Sequence, residues 1–380
     1  MRKVEHPRRG ERLGGSVDLS GWMFALSRPL QRPTCLLAPH PTTPTTRVAI
    51  YGASGYTGLE LLKLLARHPH AEVTALVSRR DDAGDVEAVH PSLLGLYDLP
   101  VERLSVDQVA ERADLAFACL PHGASAEVVS QLLDRGLKVV DFSADYRLTD
   151  RAVYEQWYGV THADPERIGA VAYGLPELYR SRIREAGLVA NPGCYPTSAI
   201  LALAPLLRAG LIEPSGVIID SKSGVTGAGR TPKDNLHFPE ANENLSAYGV
   251  GTHRHMPEID QVLSQFGGSE VEVLFTPHLA PMDRGILSTC YATPAAGVDG
   301  AKLSETLAEF YRDEPFVHVA PKPPGVKQVT GTNACHVWAG VARGRAVVVA
   351  AIDNLLKGAS GAAVQNFNLM QGYEETMALV

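Results

Sequence analysis

RVAIYGASGYTGLELLKLLAR, Arg47 to Arg67, is the stretch from which the fold is read. Val48 to Tyr51 is a short apolar run of strand type, a glycine-rich turn follows, and Leu59 to Arg67 is an apolar helix that stops near Pro69. Val73 to Val77 is a second strand, which completes a βαβ unit. The turn, with Gly52, Ser54, Gly55, Tyr56, Thr57 and Gly58, lies between strand and helix. There a pyrophosphate meets free backbone N–H groups and the positive end of the helix dipole. The spacing is GxxGxxG, with Ser54 where the commoner fingerprint has its second glycine, so the plainer reading is a tight turn whose glycines only permit positive φ. The βαβ context favours the cofactor reading. Leu115 to Leu120, Ala124 to Leu133 and Leu137 to Phe142 continue the alternation, so the expected fold class is α/β, a Rossmann-type doubly wound parallel sheet.

The second strand ends in Ser78-Arg79-Arg80, where an enzyme that uses NAD usually carries an acidic residue for the ribose 2′-hydroxyl. A hydroxyl and two guanidiniums suit a 2′-phosphate, which favours NADP over NAD. The alternative is a solvated basic turn completed by Asp81 and Asp82. Cys119-Leu-Pro-His122-Gly123 closes a later strand on the same crevice, with Cys119 read as a packed small residue.

The chain has 380 residues, 45% hydrophobic and 20% charged, enough for two cores. A formal net charge of −7 makes a small metabolite a better default partner than nucleic acid. Five cysteines (Cys35, Cys119, Cys194, Cys290, Cys335), widely spaced and without a CxxC pair, argue against a disulfide framework or a thiolate metal site and favour a reducing, cytoplasmic setting. No apolar run reaches the roughly 18 residues of a membrane span. Residues 1 to 46 are basic and rich in Pro and Thr, and read as a disordered extension. Their arginines admit a plastid transit peptide, against which Glu5, Glu11 and Asp18 count. From about residue 191 the texture changes to one helix (Thr197 to Arg208) and strands at Val217 to Asp220, Val271 to Phe275, Ile286 to Ala292 and Ala346 to Ile352. This predicts a second, α+β domain on a largely antiparallel sheet over 191–354, to which a family resemblance adds catalysis and oligomerisation. The small-residue helix within 355–380 then rejoins the nucleotide domain of 47–190.

Asn191-Pro-Gly193-Cys194-Tyr-Pro-Thr197 precedes the apolar helix, so Cys194 sits at a helix N-terminus that favours a thiolate and holds an oxyanion. A lone cysteine is ordinarily a core filler, but Gly193 admits a substrate and the two prolines fix the turn. His253-Arg254-His255-Met-Pro257-Glu258 supplies a base: His253 first, His255 in reserve, with Glu258 in the first helical turn to orient the imidazole. Simple dipole complementarity for Glu258 and an exposed loop for the histidines are the bland alternatives. In SKSGVTGAGR, residues 221–230, Lys222 and Arg230 are candidates to hold an anionic substrate, with Arg147 and Lys233 as weaker ones. No metal is assigned.

Taken together, GASGYTG, DFSADYRL (Asp141 to Leu148), YGLPEL (Tyr173 to Leu178), NPGCYPT, SGVTGAGR, HRHMPEI and AIDNLLKGASGAA resemble, in order, the motifs of the N-acetyl-gamma-glutamyl-phosphate reductases, relatives of aspartate-semialdehyde dehydrogenase. The resemblance runs from Arg47 to the C-terminus. It implies NADPH as cofactor, reduction of N-acetyl-L-glutamyl 5-phosphate through a cysteine thioester to the 5-semialdehyde and phosphate, a place in arginine biosynthesis, and a homo-oligomer, tetramer or dimer. It matches Cys194 to the nucleophile, His253 and Glu258 to the supporting pair and Asn354 to a residue near the nicotinamide. The same chemistry on an aminoadipyl phosphate in lysine biosynthesis differs by about 1–3 kcal/mol of pocket contact, too little to read from motifs. A non-catalytic NADP-sensing regulator needs only the first domain and is disfavoured by Cys194, His253 and Glu258 together. A nucleic-acid binder that uses the basic N-terminus is disfavoured by the overall charge.

Overall fold

Hydrophobic runs buried on both faces build the first layer. The computed structural model describes residues 45–78 and 84–380, so Cys35, Arg79, Arg80 and nearly all of the N-terminal extension lie outside the described residues. Strands β1 (Thr46–Tyr51), β2 (Ala71–Val77), β3 (Val101–Glu102), β4 (Leu115–Ala118), β5 (Lys138–Asp141), β6 (Ala172–Tyr173) and β7 (Leu188–Ala190) pair in parallel in the order β3-β2-β1-β4-β5-β7-β6. The chain starts at β1, runs outward through β2 and β3, then returns to β4 on the other side of β1. That reversal opens a crevice at the carboxyl ends of β1 and β4.

The second sheet contains β8 (Val217–Ser223), β9 (Ser246–Ala247), β10 (Val273–Leu279), β11 (Ile286–Ala292), β12 (Val317–Val319), β13 (Cys335–Ala342) and β14 (Arg345–Ile352), in the order β12-β13-β14-β11-β8-β10-β9. It is antiparallel as expected except at the β8/β10 and β12/β13 pairs, which are parallel. In β8 and β11 buried positions alternate with more accessible ones, so one face is core and the other is open. Its core face carries the helix Cys194–Arg208, in which every residue from Tyr195 to Leu207 is buried. A helix apolar all round must be wrapped on all sides. The sheet, the helix Met256–Gly267 and the helix Gly300–Phe310 wrap this one, and each leucine so buried contributes about 1.5–3 kcal/mol. Pro205 inside it offers no N–H to the Leu201 carbonyl, and the Tyr311 hydroxyl donates to that oxygen instead at 2.7 Å.

After β14 the chain makes one π-turn, Leu356–Ser360, and a helix, Gly361–Gln371, that packs on the helices Pro176–Glu185 and Tyr56–Leu65 of the first layer. Among the described residues no helix is long and apolar enough to cross a membrane.

Candidate active site

The glycine-rich turn is shaped by close approach. A Cβ on Gly52, at φ +71°, would stand 2.2 Å from the Cys119 carbonyl oxygen, and one on Gly58 would stand 2.6 Å from that of Ala53. No side chain larger than hydrogen fits either place, so β1, β4 and the helix Tyr56–Leu65 close on one another. The first N–H groups of that helix, which lack intrahelical acceptors, face the crevice. Ser78 lies buried at the end of β2 and also borders it. A cavity of about 750 Å³ runs from this turn to Cys194, lined by Gly52, Ser54, Gly55, Tyr56, Thr57 and Ser78 at one end and by Arg147, Gly193, Cys194 and His255 at the other. The cradle of glycines and helix N–H groups fits a dinucleotide diphosphate.

Cys194 is the first residue of its helix, three positions earlier than the apolar pattern suggested, and the backbone N–H groups of Cys194 and Tyr195 favour its thiolate. Burial nevertheless pushes the thiol up to about 11, against the Arg147 charge and those two donors, which lower it. Desolvation outweighs the helix dipole at this depth, so the helix end favours a thiolate without producing one and a base is needed, as expected from the sequence.

Arg147 donates Nε to the Asn191 carbonyl at 2.8 Å, Nη2 to the Phe142 carbonyl at 2.7 Å and Nη1 to Glu258 Oε2 at 3.2 Å. The protein itself occupies three of its five N–H donors, which fixes the guanidinium as a positive charge beside Cys194. Glu258, 1% exposed, also accepts from the Gly193 N–H and the Tyr173 hydroxyl, both at 2.8 Å. Among the described residues it makes no hydrogen bond to an imidazole. Its work is to pin Gly193 and Arg147 rather than to orient a histidine, and with Tyr173 it ties YGLPEL to NPGCYPT.

The two histidines separate. His255 borders the cavity, and a Cβ on Gly193 would meet its Nε2 at 2.6 Å, so this ring lies directly over the residue before the nucleophile. Its Nδ1 is buried with no partner among the described residues. Burial, then His253, Arg147, His122 and Arg254, hold it well below the usual histidine range, so it is neutral and able to take a proton. His253 stands behind, packed on Tyr195, Tyr248 and Phe275, and its Nδ1 accepts the His255 N–H at 3.2 Å. Geometry thus favours the reserve candidate, because the helix start at Met256 turns His255 and not His253 toward the cavity.

Lys222 is not in the site: its Nζ pairs with Asp220 at 2.5 Å on the open face of β8. Lys233 is exposed outside the cavity lining. Arg230 does line the cavity, but at the cofactor end, where Nη1 donates to the Ser54 carbonyl at 2.8 Å. Asn354 borders the cavity between the two ends, accepting from the Gly285 N–H at 2.6 Å and donating to Thr226 Oγ1 at 3.1 Å. Cys119 is a buried thiol pushed up to about 12, consistent with packing. Sequence reasoning passed over three residues at the substrate end. Arg254 lines the cavity with no ion pair among the described residues, and His122 opens into it. Gly358 of the π-turn is pressed so close that a Cβ would lie 2.9 Å from that of Cys194. Position within the HRH and PHG motifs was the only signal for the first two.

Residues 47–186 match the family model of the semialdehyde dehydrogenase NAD binding domain, and residues 194–354 that of the semialdehyde dehydrogenase dimerisation domain. An N-acetyl-gamma-glutamyl-phosphate reductase of Rhodopirellula baltica is 52% identical over 339 residues, which cover 88% of this chain and 98% of the relative. That of Moorella thermoacetica is 51% identical over 337 residues, 88% and 97% of the two chains. Among solved structures, the aspartate semialdehyde dehydrogenase II of Vibrio cholerae, in complex with ASA, superposes with a TM-score of 0.65 at 16% identity over 86% of this chain and 98% of that one. The Candida albicans aspartate semialdehyde dehydrogenase with NADP gives 0.63 at 15% identity over 86% and 98%. These two share the fold, whereas identity above half over nearly the whole length carries the closer relation: the chain belongs to the N-acetyl-gamma-glutamyl-phosphate reductase family of the semialdehyde dehydrogenases.

Proposed function

We infer that this oxidoreductase reduces N-acetyl-L-glutamyl 5-phosphate to N-acetyl-L-glutamate 5-semialdehyde and phosphate with NADPH, in arginine biosynthesis. The observation that carries this is that one cavity joins a dinucleotide cradle to a half-buried cysteine at a helix N-terminus. When bound, NADPH supplies the hydride that reduces the acyl carbon. The chain's own residues do the rest. As Cys194 Sγ attacks the acyl carbon, its proton passes to His255, the sulfur–carbon bond forms and the carbon–oxygen bond to phosphate breaks. The result is a thioester. Arg147 and the N–H groups of Cys194 and Tyr195 offset the charge that develops at sulfur in the attack and again when the aldehyde leaves. The proton held by His255 leaves with phosphate, and one proton from solvent restores the thiol. The cofactor end consists of the Gly52 to Gly58 turn, Ser78, Asn354 near the nicotinamide, and Arg230 over the diphosphate turn; by sequence alone Arg79 and Arg80, outside the described residues, are assigned to the 2′-phosphate. Arg254, which forms no ion pair among the described residues and stacks over Tyr158, is the cation for a substrate anion.

The glutamyl substrate is preferred to its aminoadipyl homologue because the relatives that match at about half identity carry the glutamyl name. The open face of the second sheet, with Leu274 51% and Tyr291 36% exposed, supports a homo-oligomer built on the matched dimerisation domain, and a cytoplasmic setting accords with the free thiols. The test is the reverse reaction with the semialdehyde, phosphate and NADP. Phosphate-dependent formation of NADPH by wild type and none by Cys194→Ser is expected. Turnover of the adipyl homologue alone would reassign the substrate, and silence with both would overturn the reading.

A further inference from the structure

The loop after β5, within DFSADYRL, fixes more than Arg147. The Ala144 N–H donates to His122 Nδ1 at 2.9 Å, so that nitrogen carries a lone pair and the ring proton sits on Nε2. The next residue holds the turn itself: Asp145 accepts the N–H of Gly123 at 2.8 Å, of Ser125 at 3.2 Å and of Ala126 at 3.0 Å. The ring rests edge-on against Tyr158, centroids 5.5 Å apart, and borders the cavity. Nε2 has no partner among the described residues, and the side chain is open where it meets the cavity. Tyr158 in turn lies under the Arg254 guanidinium at 5.4 Å and donates to the Arg254 carbonyl at 3.3 Å, which sets the His122 ring on the Arg254 and His255 side of the cavity and not at the diphosphate turn. Desolvation against its neighbours and the charges of Arg147 and Arg254 lower His122 from the usual histidine range, and the lone pair that Nδ1 offers to Ala144 keeps the ring a neutral donor at Nε2.

We propose that His122 is a substrate-contacting residue, locked by Ala144 as the Nε2–H tautomer so that it donates a hydrogen bond to an anionic oxygen of the substrate beside Cys194. The oxygen belongs to the phosphoryl group or to the carboxylate. A locked donor costs no reorientation when the anion arrives, and a neutral one leaves the charge balance around the thiol unchanged. This rests on the reductase reading for the substrate's identity, but not for its test.

The test uses alkylation of Cys194 by iodoacetamide, with protection by inorganic phosphate or by N-acetyl-L-glutamate as probes of the two oxyanions, and fluorescence titration of NADP binding. Wild type is compared with His122→Asn, whose Oδ1 still accepts from Ala144 but which lacks a donor at the Nε2 position, and with His122→Gln, whose amide reaches that position. Loss of a hydrogen bond to a charged group predicts protection by at least one probe weakened about tenfold or more in His122→Asn, partly restored in His122→Gln, with NADP affinity within about twofold of wild type. Weakening for phosphate assigns the phosphoryl oxygen, and weakening for N-acetyl-L-glutamate the carboxylate. Wild-type protection by neither probe, unchanged protection in His122→Asn, or an equal fall in NADP affinity would overturn the proposal. Wild-type turnover in the reverse assay, measured alongside, judges the reductase reading separately.

Discussion

Cys194, Gly193 and His255 form a unit in which each is useless without the others' spacing. With the thiol at about 11 and His255 neutral, there is no resting ion pair. The alkylation rate of the free enzyme should therefore climb steadily from pH 7 through 9 and beyond. A plateau reached below pH 8, recorded by mass spectrometry of the modified peptide, would contradict this account. His255→Ala should lower kcat by about 10²–10⁴, the usual worth of general acid–base catalysis, and His253→Ala by clearly less. The reverse ranking in steady-state assays would return the role to His253. Gly193→Ala drives a methyl to within 2.6 Å of His255 Nε2 and 2.9 Å of Arg147 Nη1. Displacing either by an ångström should cost about 100-fold in turnover while leaving NADP affinity unchanged in a fluorescence titration.

At the scale of elements, the π-turn Leu356–Ser360 is held from beneath by a fully buried pair, Lys357 and Glu177, whose Nζ and Oε1 lie 2.5 Å apart, with Gln365 Oε1 accepting from the same ammonium at 2.8 Å. Ser360 Oγ donates to the Thr57 carbonyl and Gly358 presses on Cys194, so this one turn touches both ends of the cavity. Lys357→Met leaves the Glu177 carboxylate buried without its cation and should destabilise the protein by about 3–5 kcal/mol. Adding Glu177→Gln should recover much of that loss in thermal denaturation. If the single variant melts with wild type, the pair is not holding the turn. The turn's sequence, rich in glycine and alanine, announces close packing but not what it packs against.

For the whole molecule, pH acts on stability through buried histidines. His253 is pushed down to about 4 by burial and by Arg254, so between pH 6.5 and 4 the unfolded chain binds a proton that the folded one refuses. Its contribution is fully present above pH 6.5 and declines as pH falls toward 4. Asp141 and Asp260, raised to about 6 by burial, act with the opposite sign over much of the same window, since the folded chain holds their protons more tightly. The clean observable is a difference: in chemical denaturation His253→Phe should lose less unfolding free energy than wild type between pH 7 and pH 5, by about 1–2 kcal/mol. Equal losses would show that the His253 ring is solvated. The proposed assembly through the open face of the second sheet is tested by Tyr291→Glu, which places a charge in that contact and should lower the mass seen by light scattering.

What the sequence determines by itself is local. The strand, glycine turn and helix of 47–67 follow from period and backbone freedom. The parallel order of the first sheet follows from the alternation, and the cysteine at a helix start follows from NPGCYPT ahead of an apolar run. The strand β13, interrupted by Gly340, and the helix Gly300–Phe310 were not read, because their patterns are weak and packing decides them. What only the tertiary structure decides is which groups meet. Glu258 reaches Gly193 across 65 positions and Arg147 across 111, and Lys222 turns away to Asp220. The thiol's ionisation is settled by how deeply it is buried, a sum over neighbours drawn from the whole chain. Motif order names the parts, but the field at Cys194 and the choice between two histidines two positions apart arise only when distant segments close around them.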